Sequence, residues 1–156
     1  MPGPTDIGGI PGDSASRAVR FARISDAPIT VEECVVAVEE RQAGAVVTFA
    51  GIVRDHDEGR GVQGLSYSAH PAAGDAITAS AERVAAAHPE VAIAVAHRIG
   101  DLTVGDVALA CAVASAHRAA AFAACAELVD DIKASVPIWK EQAFDDGSTE
   151  WVASLG

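Results

Sequence analysis

The nine residues Ala45–Val53 (AVVTFAGIV) carry no charge and are rich in β-branched and apolar side chains. A run of this length and character predicts a central strand of a sheet. Val107–Ala114 (VALACAVA) repeats the pattern and predicts another strand. Half of the 156 residues are apolar and only 4% are aromatic, so the core has to be built from Val, Ile, Leu and Ala. That length suits one compact domain.

Helical signals fall between the strands. Thr30-Val-Glu-Glu33 has the spacing of a capping box, with Thr30 as N-cap and Glu33 reaching back. It predicts a helix to about Gln42 with Cys34, Val35 and Val38 buried, ended by Gly44. Asp75–Ala87 reads as an amphipathic helix through Ile77, Ala81 and Val84. The longest helix is expected over 116–134, capped by Ser115, with Phe122, Cys125, Val129 and Ile132 as its buried stripe. Strands are expected over 17–24, from Leu65 to Ala69, over 91–99, and in a final pair, 137–143 and 150–153, joined at Asp145-Asp146-Gly147. The polar, glycine-bearing stretch 54–64 reads as a loop, and Gly100-Asp101 as a turn. Helices and strands mix without strict βαβ alternation, which indicates an α+β domain. Residues 1–16, rich in Gly and Pro, read as a disordered tail, leaving 17–156 as the folded domain.

The net charge of −11 argues against nucleic acid and anionic membranes, since both are bound by clustered cations. No run of about 18 apolar residues exists to span a bilayer. The three cysteines, Cys34, Cys111 and Cys125, show no ligand spacing, and the five histidines form no HxH or HExxH pattern. Reduced buried thiols, no metal and a cytoplasmic location follow as expectations.

Only two lysines occur, Lys133 and Lys140, seven residues apart around Pro137. Two ammonium groups in one pocket would bind anions, and a crowded or desolvated lysine can act as base or nucleophile. His117 and Arg118 open the longest helix, where unpaired N–H groups and the helix dipole favour an anion such as phosphate. Arg54 leaves the first apolar strand in a loop, where it could meet a phosphate or simply be solvated. His97-Arg98, His70 and His88 read as structural. Arg118 and Lys133 are fifteen residues apart, about 22 Å along one helix. Either they serve separate sites, or a second copy of the chain completes one site.

Four segments together resemble the large subunit of molybdopterin synthase, the MoaE family. They are Gly44–His56 (GAVVTFAGIVRDH), His97-Arg-Ile-Gly100, Ser115-Ala-His-Arg118 and Lys133-Ala-Ser-Val-Pro-Ile-Trp-Lys140. Their order and spacing extend over about residues 18–153. The resemblance implies an α/β-hammerhead domain with antiparallel sheets, forming a homodimer within a heterotetramer. Its partner would be a small ubiquitin-like sulfur-carrier subunit ending in a Gly-Gly thiocarboxylate. The substrate would be cyclic pyranopterin monophosphate, with no cofactor in the step. By the same resemblance Lys133 and Lys140 are catalytic. Arg54, His117, Arg118, Glu141 and Gln142 bind substrate, with His117 and Arg118 supplied by the other protomer. The sequence departs from the family at Ile52, where a lysine is common, and at Gln142, where a glutamate is common. The alternative is a dimeric module that captures a Gly-Gly tail without chemistry.

Overall fold

A computed structural model describes residues 18–57 and 59–153, so the expected tail at 1–16 lies outside the described residues. The elements are β1 (Val19–Ser25), α1 (Val31–Ala37), β2 (Ala45–Ile52), β3 (His56–Asp57), β4 (Arg60–Ala69), α2 (Ala73–Ala87), β5 (Ala92–Arg98), β6 (Gly100–Thr103), β7 (Val107–Ser115), α3 (Arg118–Ser135), β8 (Ile138–Phe144) and β9 (Thr149–Ala153). They form two sheets. The first has the order β1-β5-β7-β2, with β1 parallel to β5 and the other pairs antiparallel. The second is antiparallel, with the order β3-β4-β8-β9 and β6 also paired to β4. This is the expected α+β class.

Alternation within β5 and β7 determines how the first sheet is covered. Ile93, Val95, Leu109, Cys111 and Val113 face α2 and α3, against Ile77, Val84, Leu128 and Ile132. The opposite face of the same two strands presents only alanines, Ala92, Ala94, Ala96, Ala110, Ala112 and Ala114, against Cys34 of α1 and Val38, the C-cap of that helix. Both faces are buried, which is why these strands read as unbroken apolar runs. Leu128 is fully buried in the larger cluster. Its replacement by Ala should cost about 2–5 kcal/mol, measured as a lowered midpoint in urea denaturation.

Several expectations change in three dimensions. Ala45–Val53 forms a strand, but β2 is at the edge of its sheet, not its centre; β7 holds the central place beside it. The residues of β2 alternate between half-buried and exposed, and Val46 and Ile52 are 45% and 48% exposed. The capping box at Thr30 forms as read: the Glu33 N–H donates to Thr30 Oγ1 and the Thr30 N–H donates to Glu33 Oε2. The helix stops at Ala37, well before Gln42, because Glu39 to Gln42 offer no apolar side chain to the sheet. The expected loop 54–64 contains a hairpin of β3 and β4, turned at Gly59 with φ +80°. The expected Gly100-Asp101 turn opens strand β6, paired along β4 from Tyr67 to Gly64.

Helix α3 starts later than expected. Its N-cap is His117, and Ser115 is the last residue of β7. Phe122, expected in the buried stripe, is 61% exposed. The stripe consists of Ala121, Ala124, Cys125, Leu128, Val129 and Ile132. Two of the three histidines read as structural make such contacts here: His88 pairs with Glu127 at 2.9 Å, tying α2 to α3, and His70 Nδ1 accepts from the Ala72 N–H at 2.9 Å. All three cysteines are buried and free. None of the described helices is long and apolar enough to cross a membrane, and no group of three or more potential metal ligands is found among the described residues.

Candidate functional site

Lys133 and Lys140 reach one neighbourhood by different routes. Lys133 is exposed in the last turn of α3. Lys140 lies on β8 directly opposite Tyr67 of β4, so the two side chains leave the same face of that sheet. The Tyr67 ring meets the His97 ring edge-on, with centroids 5.0 Å apart at 84°. His97 is 1% exposed at the end of β5, and its Nδ1 lies 2.8 Å from the Arg98 carbonyl, which makes Nδ1 the protonated nitrogen. Burial pushes the His97 imidazole down to about 4; the Arg98 carbonyl opposes this, and the charge of Lys133 lowers it further. His97 is therefore neutral and feels Lys133, while Tyr67 touches it from the Lys140 side. The Tyr67–His97 contact crosses between the sheets, with Lys140 opposite Tyr67 on its strand pair and the charge of Lys133 felt at His97.

Strand parity sorts the residues after Lys140. Gln142 pairs with Leu65, emerges on the Lys140 face and is 3% exposed. Glu141 pairs with Ser66 and emerges on the opposite face. There it lines a cavity of about 340 Å³ with Ser66, Asp101, Leu102 and Thr149. Glu141 and the Lys140 side chain are thus separated by the sheet itself.

The residues expected to bind an anion lie at two ends. β7 runs from Val107, opposite Ile52, to Ser115, opposite Ala45. His97 pairs with Leu109, so it lies toward the Val107 end, and Arg54 follows Val53 at that same end. Val53 shares a small apolar cluster with Leu102, Ala108 and Tyr67. Arg54 is exposed and on the lysine side of the molecule. His117 and Arg118 are exposed at the other end, beyond Ser115.

The turn that presents them is tightly built. The Gly44 N–H donates to the Ser115 carbonyl at 3.0 Å, and a Cβ on Gly44 would lie 2.8 Å from the Ala116 carbonyl oxygen, so only glycine fits. His117 makes no side-chain cap bond and no acidic residue occupies the first turn. The first N–H groups of α3 stay available to an anion beside Arg118. The Ser115 hydroxyl is buried there with no hydrogen-bond partner among the described residues. Arg118 and Lys133 sit at opposite ends of α3, about 22 Å apart, and one chain does not bring them together.

Sequence reading left Tyr67 out of the site and read His97 as structural. The available signals were a lone histidine ending the uncharged run VAIAVAH and the chain's single tyrosine between Leu65 and Ala69.

Residues 24–135 match the family model described as MoaE protein. The chain is 37% identical over 139 residues to molybdopterin synthase catalytic subunit 1 of Mycobacterium tuberculosis, covering 88% of this chain and 94% of that one. Among solved structures, the X-ray crystal structure of molybdopterin synthase from Staphylococcus aureus superposes with a TM-score of 0.79 at 32% identity, over 84% of this chain and 96% of the other. A complex of subunits 1 and 2 of molybdopterin-converting factor from Helicobacter pylori shares the fold at 23% identity and a TM-score of 0.65, over 88% and 90%.

Proposed function

The chain belongs to the MoaE family, and from that premise we propose that it is the catalytic subunit of a molybdopterin synthase. It transfers sulfur from the C-terminal thiocarboxylate of a small ubiquitin-like carrier to cyclic pyranopterin monophosphate, forming the dithiolene of molybdopterin. The observation that carries this reading is the convergence of Lys133 and Lys140 on the Tyr67–His97 pair. A carrier tail and a cyclic phosphate are both anionic, and two ammonium groups on a partly dry floor hold such groups far better than water does. Lys133 stabilises the thiocarboxylate or moves the proton during transfer. Lys140 holds the acyl tail or the pterin, and Arg54 adds a cation at the same end. Gln142, buried on the Lys140 face, supports that side chain's surroundings. Glu141 faces the opposite cavity and contacts the carrier body or the tail's approach there.

The phosphate is held by His117 and Arg118 of a second copy. Among the described residues β2 is the edge of its sheet, with Val46 and Ile52 exposed, and Phe122 is exposed on the neighbouring helix. Edges this apolar call for cover. Antiparallel pairing of two β2 edges about a twofold axis sets the Ala45 end of one copy beside the Ile52 end of the other. His117 and Arg118 then arrive at the partner's Arg54 and Lys133 end, which resolves the 22 Å separation. The Helicobacter pylori relative, whose structure is a complex of two subunits, supports a separate small subunit as partner.

The deciding experiment mixes the purified protein with thiocarboxylated small subunit and cyclic pyranopterin monophosphate and assays molybdopterin. Product formation is the expected outcome. Tight binding of the small subunit with no product would establish the tail-capturing module instead.

A further inference from the structure

Tyr67 is a phenol placed where an anion is expected and held there from two sides. On one side His97 meets its ring edge-on. His97 cannot turn away, because it is buried and its Nδ1–H donates to the Arg98 carbonyl at 2.8 Å. On the other side Lys140 stands directly across the strand pair on the same face. The ring packs against both the main core and the small Val53–Leu102–Ala108 cluster, so its position is fixed by apolar contact. Among the described residues its hydroxyl is not one of the fully buried, unpartnered polar atoms, so it stays open to an incoming ligand. A Tyr hydroxyl on a partly buried ring ordinarily finds a partner, and no hydrogen bond to it is present among the described residues.

We propose that the Tyr67 hydroxyl is the uncharged donor of the lysine site, hydrogen-bonded to an oxygen of the acyl group that ends the carrier's Gly-Gly tail. The inference rests on the reading of this site as the tail's destination. The lysines supply charge on flexible four-carbon stems, whereas the phenol supplies one donor on a rigid ring with a fixed direction. A donor whose direction is set before binding costs little entropy when the anion arrives. Burial raises the Tyr67 pKa, so the phenol keeps its proton and remains a donor beside two cations.

Tyr67 is the only tyrosine in the chain, which permits a direct test. Protein labelled with ¹³C at tyrosine Cζ gives one resonance. It is titrated with unlabelled small subunit ending in an ordinary Gly-Gly carboxylate, and with the same subunit lacking the two glycines. The resonance is expected to shift with the intact tail and to stay in place with the truncated one. In parallel, Tyr67→Phe keeps the ring that meets His97 and removes one oxygen, so the melting temperature should hold or rise. Its rate of molybdopterin formation should fall roughly tenfold to a hundredfold, the loss expected for one hydrogen bond to a charged group. A resonance that stays in place when the intact tail binds, or a Tyr67→Phe protein with the full rate, overturns the role of Tyr67 and leaves the sulfurtransferase reading standing. An intact tail that does not bind at all overturns both.

Discussion

Lys133→Ala protein is expected to form molybdopterin at a rate lower by about 10²–10⁴-fold, the range associated with losing a positioned acid–base group. The side chain is exposed in the last turn of α3, and nothing in the core depends on it. Its melting temperature should therefore match wild type within the scatter typical of surface substitutions. The combination is the informative result: a large kinetic loss with an intact fold places Lys133 in the chemistry. Lys140→Ala should lose less rate but bind the small subunit more weakly, the result expected if Lys140, opposite Tyr67 on the same face, holds the tail as proposed. The comparison is made by single-turnover formation of product with saturating small subunit, which separates the chemical step from tail binding. A Lys133→Ala protein with the wild-type single-turnover rate would remove the residue from the mechanism.

A mixed dimer of one Lys133→Ala chain and one Arg118→Ala chain should recover about half of the wild-type activity, although each variant alone is nearly inactive. The expectation follows from the length of α3. Its two ends lie about 22 Å apart, so an anion held at Arg118 is out of reach of Lys133 in the same chain. If Arg118 serves the partner's lysine, the mixed dimer contains one site carrying both substitutions and one carrying neither. If each chain instead served its own site, both sites would be broken and the mixture would stay inactive. Two distinct affinity tags isolate the mixed dimer, and the assay then reads the two outcomes directly. Restoration would also support the pairing of β2 edges, because that arrangement sets one copy's Arg118 end against the other's Lys133 end.

Local signals in the sequence determined most of the elements. The Thr30/Glu33 capping box, the apolar spacing of α2 and the uncharged runs of β5 and β7 are written in neighbouring residues, because helix and strand periods repeat within a few positions. The two lysines were visible as a pair because the chain holds no others. Tertiary structure decided what touches what. Composition could not show that β2 is an edge, since an apolar strand looks the same whether it is covered by its own chain or by a second copy. Glu141 and Gln142 are adjacent in sequence, yet strand alternation and the register with β4 send them to opposite faces. Phe122 fits the helical stripe of α3 by spacing but lies outside it, because the nearby sheet ends at β2 and offers that side of the helix no cover. Tyr67 and His97, thirty positions apart, meet only because β4 and β5 belong to different sheets that abut at one seam. The sequence by itself set the elements and the cations; the pairing of strands across long chain separations turned them into a site.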